Sequence, residues 1–200
     1  AENSIVVASG ANMLLNEQDV DKVVEEMCEG DILLMQLEIP IQTVEYAARR
    51  AFEKGVKVVL NPAPARSLPK ELLRYLFMIT PNRIEAEMLT GIKIVNDADA
   101  ERVAKEISAM GVRNIIVTLG SKGCLVREGD TSYCVDAFKV EPVDTTAAGD
   151  TFNGALCVGL AEGMNLRQAA VMASKASSVA VTRMGAQSSI PHRKELDLNE

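Results

Sequence analysis

The sequence predicts an α/β protein: a mostly parallel sheet with helices packed on its faces. Three observations carry this. Runs rich in Val, Ile and Leu alternate with stretches whose apolar residues recur at helical spacing. Of the 200 residues, 48% are hydrophobic, enough to fill the core of one domain, and a single domain spanning 1–200 is expected. The polar residues that end the apolar runs recur at the carboxyl ends of the strand-like segments, where open α/β sheets bind their ligands.

Taken in order, SIVVAS (4–9) reads as a strand. QDVDKVVEEMCEG (18–30) is amphipathic, with Val20, Val23, Val24 and Met27 on one helical face and Gly30 as its stop. DILLMQLE (31–38) is a buried strand ending in polar residues. IQTVEYAARRAFEKG (41–55) is a helix with Ile41, Val44, Ala48 and Phe52 on one face, and VKVVLNPAP (56–64) is a strand that runs into a proline-stiffened loop. FMITPN (77–82) is a short strand, followed by a helix, RIEAEMLTG (83–91), closed by glycine. NDADAERVAKEISAMG (96–111) is a helix with acidic residues in its first turn, where the dipole favours them. NIIVTLG (114–120) is a strand, and GCLVREG and TSYCVDAF form two more around a hairpin turn at Glu128-Gly129-Asp130. Two helices rich in small residues, near 150–162 and 166–182, complete the pattern.

Charge and composition exclude several functions. A formal charge of −7 and no basic run longer than Arg49-Arg50 or Arg193-Lys194 argue against a nucleic-acid partner. Cys28, Cys124, Cys134 and Cys157 lack CxxC spacing and have only His192 beside them, so reduced core cysteines are expected rather than a zinc site. No apolar run reaches the roughly 18 residues of a membrane span and no signal-peptide pattern opens the chain, so a soluble, cytoplasmic protein with no membrane partner is expected.

The strand-end clusters are Gln36 and Glu38, Asn61, Asn82 and Glu85, Thr118 and Gly120, and Asp144 to Asp150. In the last, VDTTAAGDTFNGAL (143–156), a carboxylate, Asp150, stands at the mouth of a helix directly behind Ala147, Ala148 and Gly149. A helix start offers unpaired N–H groups and the positive end of the dipole, and small residues let a bulky anion approach the backbone. Asp150 or Thr151 is therefore either a cap, as Asp and Thr often are, or part of an anion site. Asn82 and Glu85, at i and i+3, share a helical face; by itself NxxE is more often a capping arrangement. GSKG (120–123) lacks Walker A spacing, so a P-loop NTPase is excluded.

These segments resemble a known family. VDTTAAGDTFNGAL is similar to the C-terminal signature of the ribokinase, or PfkB, family of carbohydrate kinases. TPNRIEAEMLTG (80–91) is similar to its Asn-x-x-Glu segment and VTLGSKG (117–123) to its nucleotide-loop segment. NPAPARSLP (61–69) and AVTRMGAQSSIP (180–191) resemble its ribose-phosphorylating members, and the match runs from about residue 3 to residue 192.

The resemblance implies a three-layer α/β/α sandwich and an ATP-dependent kinase for a sugar primary hydroxyl, D-ribose to D-ribose 5-phosphate before other sugars or nucleosides. It implies Asp150 as catalytic base and substrate contact, with Ala147, Ala148, Gly149 and Asp150 as an anion hole. ATP would be held by Asn82, Thr118, Gly120, Ser121, Lys122, Gly123, Gly149 and Ser174. Glu85 would act on Mg²⁺ through water; Asp144, Thr146, Ala180, Arg183, Gly185 and Ser189 would form a K⁺ site; and Glu38 would contact the sugar. The resemblance further implies that the chain is the last two-thirds of such a kinase, without the N-terminal strands, sugar loop and β lid, and that it is inactive by itself. The full-length protein would be a homodimer. A non-catalytic binding module of the same fold is the alternative, which loss of Asp150, Asn82 or Glu85 would favour; all three are present.

Overall fold

The computed structural model describes residues 8–196. The expected strand at 4–9 lies outside these residues save for Ala8 and Ser9, which are not in a strand. A short 3-10 helix, Gly10–Leu14, comes first. It is followed by helix α1 (Glu17–Glu26), strand β1 (Ile32–Met35), α2 (Ile41–Glu53), β2 (Lys57–Leu60), α3 (Lys70–Leu73) and β3 (Met78–Ile79). Then come α4 (Arg83–Thr90), α5 (Asp97–Ala109), β4 (Asn114–Thr118), β5 (Cys124–Glu128), β6 (Thr131–Val135), α6 (Ala148–Ala161) and α7 (Leu166–Ala180).

The described strands form one sheet in chain order, β1 to β6. β1 to β4 run parallel, whereas β5 and β6 are antiparallel additions. Glu128 pairs with Thr131, so the hairpin turns on Gly129-Asp130 alone.

The period of two along each strand sends alternate residues to two separate cores. Val58, Leu60, Ile79, Ile115, Val117 and Leu125 face a core covered by α1 to α5. Val59, Met78, Ile116, Cys124, Val126 and Val135 face a second core covered by α6 and α7. The sheet is thus the middle layer of three, which explains why its central strands are apolar without alternation. Each fully buried Val, Leu or Ile side chain contributes roughly 1.5–3 kcal/mol.

Helix starts follow a common device. Asn16 with Asp19, Asn82 with Glu85, Asn96 with Asp99 and Asn165 with Gln168 form reciprocal capping boxes on α1, α4, α5 and α7. At the other end of α4, Gly91 takes a left-handed conformation, φ 71°, and bonds back to the Glu87 carbonyl as expected of a glycine stop.

Several expectations change. α1 ends at Glu26, short of Gly30, and Val23 is 56% exposed, so only Val20 and Val24 enter the core. Phe52 leaves the apolar face of α2 and packs against the Tyr75 ring instead, 5.7 Å between centroids. The four-residue α3 after Pro69 is too short for periodicity to reveal. Cys28 and Cys134 are exposed, so only Cys124 among the four thiols is a fully buried core residue.

Candidate functional site

Four segments converge at the carboxyl edge of β3 and β4. Thr118 ends β4, and its N–H bonds to the Pro81 carbonyl at 2.9 Å, joining the two strand ends just before Asn82. A tight turn, Gly120–Lys122, follows. Gly123 returns the chain into β5 at φ 88°, passing so close to β6 that an added Cβ would stand 2.0 Å from the Val135 carbonyl oxygen. The loop after β6 and the start of α6 close the remaining sides.

Between these segments lies a cleft of about 470 Å³, a size suited to a small organic ligand. Thr118, Gly120, Ser121 and Gly123 line one wall, Ala148 and Gly149 the start of α6, and Ser174, Ser177 and Ser178 the α7 wall. Ser174 is 8% exposed and sits beside Cys124, whose thiol burial pushes up to about 12, the serine hydroxyl acting in the opposite sense. The remaining wall, Ala137 to Val140 with Pro142, carries no motif and was not singled out from the sequence. There the Lys175 ammonium lies 4.8 Å from the centre of the Phe138 ring, a cation–π contact. Lys122 does not line the cleft, contrary to expectation: its ammonium is 4.0 Å from the Asp97 carboxylate and largely solvated.

The start of α6 departs from the other helices. Its N-cap, Ala147, is left-handed at φ 58°, the only described non-glycine residue with positive φ; like α2 and α3, the helix has no side-chain cap. Asp150 lies in the first turn, is exposed, and makes no hydrogen bond or ion pair with the described residues. Thr151 is buried and its hydroxyl is unbonded. The capping explanation of Asp150 and Thr151 is therefore excluded; the Ala148 N–H bonds to the Thr145 carbonyl at 3.3 Å, which leaves the N–H groups of Gly149 and Asp150 for an external acceptor. An added Cβ on Gly149 would meet no protein atom within 4 Å, so the space before it is free.

Asn82 and Glu85 meet by capping rather than along a helical face, since Asn82 is the N-cap. The Asn82 side-chain amide donates to Glu85 Oε1 at 2.7 Å and the Asn82 N–H to Glu85 Oε2 at 2.8 Å. The Glu85 N–H returns a bond to Asn82 Oδ1 at 2.9 Å. Glu85 is 5% exposed, and burial pushes its carboxyl up while the Asn82 N–H opposes this. With both oxygens engaged it is suited to act through water or through Asn82. Among the described residues no three His, Cys, Asp or Glu side chains cluster as a metal site.

The segments expected to hold a monovalent cation are held together. Asp144 Oδ1 accepts the Thr146 N–H at 2.9 Å and Oδ2 the Gly185 N–H at 3.0 Å. The Thr146 hydroxyl and then the Gly185 and Thr146 amides hold its carboxyl below the usual carboxylate value. The Val181 carbonyl accepts the N–H groups of Val143 and Asp144. Arg183 N–H bonds to the Ala180 carbonyl, and the Arg183 guanidinium pairs with Glu195 rather than approaching Asp144. Ser189 is fully buried, its hydroxyl on the Ala186 carbonyl. The Asp144 carboxylate keeps lone pairs beyond its bonds to Thr146 and Gly185. Glu38 lies beyond the end of β1, is exposed, and does not line the cleft.

The layers and the cleft define a three-layer α/β/α protein with its site at the carboxyl edge of the sheet. The chain belongs to the pfkB family carbohydrate kinases, whose family description matches residues 1–193. It is 46% identical over 195 residues to a ribokinase of Haemophilus influenzae, covering 98% of this chain and 64% of that protein. A ribokinase structure from Thermotoga maritima is similar at 40% identity and TM-score 0.86, covering 98% of this chain and 64% of that one. Arabidopsis thaliana ribokinase complexed with ribose and ATP is similar at 30% identity and TM-score 0.88, with the same two coverages. The chain thus spans slightly less than two-thirds of the length of these relatives. Among the described residues no helix is long and apolar enough to cross a membrane.

Proposed function

We propose that the protein transfers the terminal phosphoryl group of ATP to the primary hydroxyl of a sugar, D-ribose in the first place, giving D-ribose 5-phosphate. The observation that carries this reading is the start of α6, which has no side-chain cap: Ala148 and Gly149 line the cleft, and the next residue, Asp150, carries an unpaired carboxylate in the same turn. The ribokinases among the similar proteins direct the choice of ribose.

In this reading ATP lies along the cleft, its phosphates toward Asn82 and the α6 start and its base between the Gly120–Gly123 loop and Ser174. Asp150 orients the sugar hydroxyl and accepts its proton as the new O–P bond forms and the bond from the γ-phosphorus to the bridging oxygen breaks. An alcohol is far less acidic than a carboxylic acid, so the proton moves late. The N–H groups of Gly149 and Asp150 face the charge that develops on the transferring group; of the other two expected in the anion hole, the Ala148 N–H is held by the Thr145 carbonyl, and Ala147 shapes the turn. Asn82 and Glu85 would order the water shell of Mg²⁺, which when bound neutralises phosphate charge. Asp144, Thr146 and the 180–189 segment would hold K⁺, whose charge steadies the loop leading into α6. Glu38 would contact a sugar hydroxyl. With this reading go a cytoplasmic location and a homodimeric full-length protein.

The test is ATP-dependent ADP release from the protein with its native flanking sequence, across a panel of pentoses, hexoses and nucleosides. D-ribose is expected to give the highest kcat/KM. A hexose or nucleoside ahead of ribose would replace the substrate, and no turnover with any alcohol would overturn the reading in favour of a binding module.

A further inference from the structure

Two side chains grip the first turn of α6, and both grip carbonyl oxygens. The Ser177 hydroxyl, from α7, donates to the Ala148 carbonyl at 3.0 Å. The Asn153 side-chain amide donates to the Gly149 carbonyl at 2.9 Å. A trans peptide unit is planar, with its C=O and N–H pointing in opposite directions. The Ala148 carbonyl is therefore one end of the unit whose other end is the Gly149 N–H, and the Gly149 carbonyl is one end of the unit that ends in the Asp150 N–H. A bond that fixes the oxygen end fixes the aim of the N–H end, and it also polarises that N–H toward an acceptor.

The grip is itself anchored. Asn153 is 4% exposed, and its Oδ1 accepts the Thr80 hydroxyl at 2.7 Å. Thr80 is 1% exposed, directly after β3, and its carbonyl accepts the Asn61 side-chain amide at 3.2 Å from the end of β2. A continuous line of bonds thus runs from the ends of two central strands to the first turn of α6. Helix stability does not account for the last link. An Asn inside a helix is neutral to unfavourable because its side chain competes with the backbone ladder, and α6 also lacks a side-chain cap. The arrangement gives up helix stability and gains fixed peptide orientation at the cleft rim.

We infer that Ser177 and Asn153 are positioning residues that aim the Gly149 and Asp150 N–H groups at the phosphoryl group during transfer. They act through the carbonyl ends of those two peptides and not on the transferring phosphoryl group; Ser177 also lines the cleft, so the binding of ADP alone is measured beside kcat. The inference rests on the phosphotransferase reading of the same site.

Ser177→Ala and Asn153→Ala, in the protein with its native flanking sequence, test it by steady-state kinetics and by binding of ADP with and without aluminium fluoride, a mimic of the transferring phosphoryl group. Removing an anion-hole donor outright costs about 10²–10³ in kcat, so loss of its aim is expected to cost about tenfold. KM for ATP and sugar and the affinity for ADP alone should stay within about twofold, because the amides are expected to engage most strongly in the transition state. The gain in affinity on adding aluminium fluoride should shrink in step with kcat, and Ser177→Thr, which keeps the hydroxyl, should restore both. Unchanged kcat in Ser177→Ala beside an active parent would overturn the positioning role alone, as would a parallel loss of kcat and ADP affinity. A parent without turnover would overturn the underlying reading instead. Asn153→Ala leaves the buried Thr80 hydroxyl only its long bond to the Leu60 carbonyl, 3.5 Å; should the variant fail to fold, Ser177→Ala decides the matter, since it removes one oxygen only.

Discussion

The Asp144 carboxylate accepts the Gly185 N–H at 3.0 Å and thereby joins two loops separated by 41 residues of chain, one leading into α6 and the other following α7. Its other oxygen holds the Thr146 N–H. The pair fixes the approach to Ala147, and its depressed carboxyl remains ionised at neutral pH.

From this arrangement, K⁺ is expected to raise activity more than Na⁺ at constant ionic strength, and Asp144→Ala is expected to abolish the difference. Initial rates in matched chloride salts check it. Rates that ignore the cation would remove the site.

Gly149→Ala separates folding from function. The added Cβ meets no protein atom, and alanine is favoured over glycine within a helix by roughly 0.5–1 kcal/mol. Thermal or urea unfolding should therefore show equal or slightly greater stability, while kcat falls by at least about tenfold because the methyl group intrudes on the donors facing the phosphoryl group. A stable variant with full turnover would show that nothing approaches the backbone there.

Gly123→Ala should do the reverse and damage the fold first. Its φ of 88° disfavours any side chain, and the new Cβ would sit 2.0 Å from the Val135 carbonyl oxygen, in main chain that cannot step aside. A loss of about 1–3 kcal/mol or more in urea unfolding is expected from overpacking of this kind. Unfolding parameters like those of the parent would contradict the close contact of the Gly120–Gly123 turn with β6.

Much of this architecture was legible because it depends on local chemistry. Val58 to Leu60 and Ile115 to Val117 are apolar on both faces, which marks central strands; Asn96 and Gly91 carry their start and stop signals within a few residues. Phe52 and Val23 were misplaced because a helical face is wider than the stripe that reaches the core, and the outer edge of the stripe meets solvent or a neighbouring ring. Within the site, Asp150, Asn82, Asp144 and the Gly120–Gly123 loop were found through motif resemblance. Ser177 and the pair Thr80 and Asn153 were not, since they act on carbonyl oxygens or across 73 residues of chain, and neither leaves a spacing to read.

The most direct measurement of the central claim is the turnover of Asp150→Asn. The parent carboxylate is exposed and unpaired in the first turn of α6, so the substitution keeps the shape while removing the charge and the ability to take a proton. In the protein with its native flanking sequence, ATP-dependent ADP release with D-ribose should show kcat lower by about 10² or more, the usual contribution of a general base, with ATP affinity largely intact. Turnover equal to that of the parent would remove Asp150 from the chemistry and contradict the account of this site.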